Sequence, residues 1–130
     1  MKRTALLVAA LMLLAFALKA QKVEVLYFKA ELACCKAKVC NALEGEVKSI
    51  VEKNFAPDKV TFREVKLVDE SNKELVEKHS AKSQTVVVIT KKRKKETAVD
   101  VSDLVRNFSR SQNKAEFEKE LVAKINESLK

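Results

Sequence analysis

Residues 23–51, VEVLYFKAELACCKAKVCNALEGEVKSIV, decide the fold of this chain. Residues 23–28 are rich in β-branched and aromatic side chains, which predicts a strand. From Ala37 onward the apolar residues recur at the spacing of a helix that packs on a sheet, and they are Leu43, Val47, Ile50, Val51 and Phe55. We therefore expect a first strand, a loop that carries the cysteines, and a helix whose positive end faces them.

Three further strands are predicted downstream. Residues 85–90, TVVVIT, form a continuous apolar run that is typical of a central strand covered on both faces. Residues 60–68 predict an earlier strand, and residues 96–101 alternate as a strand that returns after the basic run 91–95. The last two strands are expected to form a hairpin with the basic run as its turn.

Capping signals predict further helices. Ser71 and Glu74 form a capping box that starts a short helix. Ser102 can cap a second helix, and Asn113 with Glu116 can cap the last one. In that last helix an apolar residue recurs at every fourth position, and these residues are Phe117, Leu121, Ile125 and Leu129.

The element order is β-α-β-α-β-β-α, with the last helical region in two pieces, and it predicts an α/β fold. Right-handed crossovers would put the first three strands in one sheet with helices on its faces. The hairpin would then add an antiparallel edge. The expected architecture is a three-layer sandwich around a mixed four-stranded sheet.

The N-terminal residues have the pattern of an export signal. Met1-Lys2-Arg3 is a basic region, and the apolar run 5–18 that follows is shorter than the about 20 residues of a bilayer-spanning helix. We expect residues 1–20 to be a signal peptide and residues 21–130 to be one domain. The protein would then be periplasmic or secreted, or membrane-anchored if the signal stays uncleaved.

The chain has three cysteines, Cys34, Cys35 and Cys40, all within a seven-residue window. Thiolates are the form that attacks disulfides and binds soft ions, and cations or a helix N-terminus lower the pKa of a thiol. Lys36 and Lys38 lie between these thiols. In an oxidising compartment an odd number of cysteines leaves at least one thiol free, joined to another molecule, or held by an ion.

The spacing of the cysteines favours an ion over a disulfide. The Cα atoms of Cys34 and Cys35 are about 3.8 Å apart across a trans peptide, below the usual disulfide range of roughly 4.4 to 6.8 Å. In a helix Cys40 would stand at least about 7.5 Å along the axis from Cys35. Bonds of about 2.3 Å from each sulfur to one ion allow a wider span, and thiolates select soft ions such as Cu(I) and zinc.

Two other features are not assigned to a site. His79, the only histidine, is expected to be an exposed residue at a helix end. The basic run 91–95 is expected to be a solvated turn and not a nucleic-acid surface, because it lacks aromatic partners and the protein is exported. Since Gly45 is the only glycine, a glycine-rich loop that cradles a nucleotide is excluded.

With these elements in place, residues 22–130 resemble the thioredoxin-like superfamily. The motif Cys34-Cys35-x4-Cys40 is similar to that of the arsenical-resistance metallochaperones of the ArsD type. That resemblance implies that the three thiols follow the first strand and hold trivalent arsenic or antimony.

The flanking residues resemble a second group, small exported thioredoxin-like proteins that carry the name ArsF. The similar segments are residues 27–28, 35–37 and 72–79. Members of that group usually carry a C-x-x-C pair, whereas Leu32 stands where the partner of Cys35 would be. The proline that precedes the central strand in ordinary thioredoxins is also missing, which implies a differently shaped thiol pocket.

These observations predict an exported protein that binds a thiophilic metal or metalloid through Cys34, Cys35 and Cys40, to carry it or to sequester it. The alternative is a thiol–disulfide oxidoreductase or electron-transfer protein, in which the same cysteines would be catalytic. A third hypothesis is that the odd cysteine links two chains. The expected partners are the ion and a membrane or periplasmic thiol protein, with no nucleic acid and no cofactor beyond the thiol-bound ion.

Overall fold

The computed structural model describes residues 21–31 and 34–130, and the predicted signal peptide lies outside that part of the chain. Within it the chain forms four strands, four helices and one short 3₁₀ turn, Glu70–Asn72. In chain order they are β1 (Gln21–Lys29), α1 (Cys34–Asn54), β2 (Val60–Lys66), α2 (Lys73–Lys78), β3 (Val86–Lys92), β4 (Lys95–Asp100), α3 (Ser102–Ser111) and α4 (Lys114–Leu129). Among these helices none is long and apolar enough to cross a bilayer.

The strands form one mixed sheet in the order β2-β1-β3-β4. β1 and β2 are parallel, with Val25 opposite Phe62, whereas β3 is antiparallel to both β1 and β4. The predicted α/β class, mixed four-stranded sheet and hairpin are thereby confirmed. We expected right-handed crossovers to join the first three strands. Only β1-α1-β2 is such a unit, because β3 is antiparallel to β1.

Helices cover both faces of the sheet, because side chains alternate along each strand. On one face Val23, Val25 and Tyr27 of β1 belong to the larger core cluster, to which α1, α3 and α4 also contribute. On the other face Leu26 and Phe28 belong to a smaller cluster that packs against Leu75 and Val76 of α2. The central strand β3 is buried from Val86 to Thr90, as its continuous apolar run predicts.

The helix caps differ from the predicted ones in two of three cases. Ser71 does not cap α2, which begins after Asn72 without a side-chain cap. Asp69 caps the preceding 3₁₀ turn, since its backbone is extended and its carboxylate accepts a hydrogen bond from the Ser71 N–H at 3.0 Å. Ser102 lies inside α3, and its own N–H donates to the Asp100 carboxylate at 2.8 Å. The Asn113 cap is confirmed, since its side chain accepts from the Glu116 N–H at 3.2 Å.

Candidate functional site

All three cysteines lie in α1, which starts near the carboxyl end of β1. The helix begins at Cys34 and not after Ala37, so the predicted cysteine loop is wrong. Residues 34–40 contain neither glycine nor proline, and alanine and lysine favour helix, so nothing in this segment opposes the helix. Cys34 and Cys35 therefore occupy the first turn, where unpaired N–H groups carry partial positive charge.

Cys40 is buried beneath Tyr27. Both residues are 0% exposed. The Tyr27 hydroxyl donates a hydrogen bond to the Cys40 carbonyl oxygen at 3.2 Å and lies 3.6 Å from the Cys40 sulfur. Strand alternation predicts the face of Tyr27, but only the packing of α1 on β1 decides which helix residue it meets. Sequence reasoning missed this contact.

The helix separates the positions of the three cysteines. In a regular α-helix the Cα atoms five and six residues apart lie about 8.6 and 9.8 Å from each other. Cys40 is thus further from Cys35 and Cys34 than the about 7 Å that a disulfide can bridge. Among the side chains that the structure describes, no three His, Cys, Asp or Glu residues come together as metal ligands. Convergence of the three sulfurs stays a prediction.

A cavity of about 400 Å³ lies where β1 and β2 end. Its lining residues are Lys29, Ala30, Glu31, Cys40, Asn41, Glu64 and Lys66. The Lys29 ammonium lies 2.8 Å from the Glu44 carboxylate and 3.8 Å from that of Glu64. The hydrogen bond with Glu44 raises the pKa of Lys29. A cation held between two carboxylates therefore lies beside the cavity that Cys40 borders.

Burial raises the pKa of the Tyr27 phenol well above its usual value of about 10, and the hydrogen bond with Cys40 adds to the shift. A raised pKa means that the folded chain keeps a proton which the unfolded chain loses above about pH 10. The contribution to stability is therefore complete below about pH 10 and is lost as the pH rises. We expect the unfolding free energy to fall by about 1.4 kcal/mol per pH unit above that value.

Urea unfolding of the wild type and of Tyr27→Phe between pH 9 and 11 measures this slope. Because lysines titrate in the same range, the difference between the two chains isolates Tyr27. The variant should lack the added slope. Equal slopes in both chains would contradict a buried, protonated phenol.

His79 is not the exposed helix-end residue that we expected. Its side chain is half-buried, and its Nε2 atom is buried without a hydrogen-bond partner among the described residues. Its ring centroid lies 6.1 Å from that of Phe28, because α2 packs on the face of the sheet opposite Cys40. The sheet therefore separates His79 from Cys40, and His79 does not join that site.

No family model matches this chain, and no curated protein sequence matches it. One solved structure is similar. It is described as "Structure of a malarial protein", is 26% identical, and aligns over 68% of this chain and 96% of that chain with a TM-score of 0.39. A likeness at this level supports no assignment of function.

Proposed function

We propose that this chain is a thioredoxin-like protein that binds a thiophilic ion through Cys34, Cys35 and Cys40. The supporting observation is that one helix begins at the first of these cysteines, directly after β1, and carries all three in its first two turns. The sheet order β2-β1-β3-β4, with one parallel pair, agrees with a thioredoxin-like arrangement. Thiolates select soft ions such as Cu(I), and the resemblance to the ArsD type adds trivalent arsenic or antimony.

Binding in two steps fits the geometry of the helix. Cys34 and Cys35 lie in the first turn, where the helix dipole favours thiolates over thiols. They are the first ligands in this proposal. Cys40 joins only after the start of α1 unwinds and the contact with Tyr27 is lost, since the regular helix holds it too far away. Because the thiols lose their protons, affinity for a metal ion such as Cu(I) rises with pH.

Thiol–disulfide exchange receives less support from the same residues. An intramolecular disulfide to Cys40 would need α1 to unwind, and a disulfide between neighbouring residues would be strained. An ion also needs α1 to unwind, but by less, because its bonds of about 2.3 Å to each sulfur span more than one S–S bond of about 2.05 Å. The oxidoreductase is therefore the second candidate.

The test uses the reduced full-length chain and arsenite. Three thiols react with one As(OH)₃ to form three As–S bonds and release three waters, with no change in oxidation state. Mass spectrometry should show a gain of one arsenic atom and a loss of three hydrogens. Tyr27 is the only tyrosine and the chain has no tryptophan, so tyrosine fluorescence reports directly on the neighbour of Cys40.

Cys40→Ser should bind arsenite more weakly and should show no change of tyrosine fluorescence on binding. Cys35→Ser should lose most of the affinity. Val39→Ser is the matched control, because Val39 is 52% exposed and adjoins the same cysteine, and it should bind like the wild type. The proposal fails if no adduct forms, or if the adduct persists after Cys34 and Cys35 are both replaced by serine.

A further inference from the structure

The β3–β4 hairpin places several lysine and arginine side chains at one end of the sheet. β3 ends at Lys92 and β4 begins at Lys95, so only Arg93 and Lys94 form the turn, and all of these side chains are exposed. The predicted five-residue turn is thus two residues long, with its basic neighbours in the strands. The end of α4 lies beside the hairpin. Together they enclose a groove of about 330 Å³, and its lining includes Lys92, Lys95, Lys124 and Lys130.

Most of these cations have no carboxylate partner. The carboxylates nearby are already used: Glu24 pairs with Lys91 and Arg63, Glu96 with Lys78, and Glu127 with Lys124. The cations of this end that make no ion pair with a described residue are Lys22, Lys92, Arg93, Lys94, Lys95 and Lys130. We call these six residues the basic end.

The polypeptide also enters the domain at the basic end. Gln21 lies opposite Lys92 and Lys22 opposite Lys91, so the first residues of β1 lie beside the hairpin. Helix α1, which carries the cysteines, starts beyond the other end of β1. Nine extended residues at about 3.3 Å each place it nearly 30 Å away from the basic end.

We propose that the basic end docks on the surface of an anionic phospholipid bilayer. Unpaired lysines attract anionic headgroups, by about fivefold in affinity for each cation close to the surface. Val99, which is 42% exposed, forms part of the groove and adds an apolar contact. The apolar run that precedes β1 would enter the same bilayer if it stays attached, which favours lipid over another polyanion. Docking in this way turns the start of α1, with its cysteines, away from the membrane.

The test uses the full-length chain with Val99→Trp, because the wild type has no tryptophan and this position lies in the groove. Vesicles are made of phosphatidylcholine alone or with one third phosphatidylglycerol, and some of the lipid carries bromine, which quenches tryptophan on contact. We expect strong quenching with the anionic vesicles and little with the neutral ones. High salt should remove the difference, because screening weakens attraction between exposed charges.

The key variant adds Lys92→Gln, Lys94→Gln and Lys95→Gln. Removing three cations should reduce the apparent affinity for anionic vesicles by about 100-fold. A matched control replaces three exposed lysines near the cysteine end, Lys66, Lys73 and Lys82, with glutamine and should change the affinity by less than about fivefold.

Three results would overturn the proposal. They are equal quenching in neutral and anionic vesicles, equal losses in the two triple variants, and saturation by a short DNA duplex at a lower phosphate concentration than by vesicles. The last would assign the basic end to nucleic acid. None of them bears on arsenite binding, so the two proposals fail separately.

Discussion

Phe117→Ala should lower the free energy of unfolding by about 3 to 5 kcal/mol. Phe117 of α4 is 3% exposed and belongs to the larger core cluster. Its ring stacks on that of Phe108 with centroids 4.6 Å apart and planes 4° apart, so the change also removes an aromatic contact. Since a small domain is stable by only about 5 to 15 kcal/mol, this loss is a large share of the total stability.

Urea denaturation followed by circular dichroism measures the loss. Val68→Ala is the control, because Val68 is 64% exposed, and it should change stability by no more than about 0.5 kcal/mol. A loss below about 1 kcal/mol for Phe117→Ala would mean that α3 and α4 do not pack on each other as described.

The Cys40 thiol should react about 10³-fold more slowly with an alkylating reagent in the folded chain than in the unfolded chain. Cys40 is 0% exposed and its sulfur lies beside the Tyr27 hydroxyl, so a reagent can reach it only after the helix opens locally. Such an opening costs several kcal/mol in a packed helix. The experiment uses Cys34→Ser with Cys35→Ser, which leaves Cys40 as the only thiol.

A matched control moves the thiol by one residue. Val39→Cys in a chain whose three native cysteines are serine places the sulfur at a position that is 52% exposed, and it should react like a free thiol. If Cys40 reacted within tenfold of this control, the burial that underlies the two-step ion binding would be wrong. If the protection holds, arsenite should bind in a fast phase and a slower phase, the second limited by release of Cys40.

The elements that the sequence predicted correctly are those with a strong local signal. Residues 86–89 are apolar throughout and became the buried centre of β3, and Asn113 caps α4 through the expected hydrogen bond from the Glu116 N–H. In both cases the physical cause lies within a few neighbouring residues.

The predictions that were wrong concern one contact between distant residues and the exact residues at which helices begin. His79 was expected in solvent because it ends a short helix, yet α2 lays it against Phe28 of β1. Ser71 was expected to cap that helix, but the chain first forms the 3₁₀ turn Glu70–Asn72, which Asp69 caps. The helix itself begins after Asn72, whose side chain makes no capping hydrogen bond. A capping pattern in the sequence does not show at which of several neighbouring residues the helix will begin.

The sequence by itself determined the α/β order, the mixed sheet with its hairpin, and the grouping of every cysteine between the first strand and the apolar stripe of the first helix. These follow from hydrophobic periodicity and from residue spacing, which act over a few residues. Only the tertiary structure decided that β3 runs against β1, that Cys40 lies beneath Tyr27, and that the lysines of the hairpin meet the start of β1. Each of these brings together residues far apart in the chain, and the packing of helices on the sheet selects them because it buries the most apolar surface.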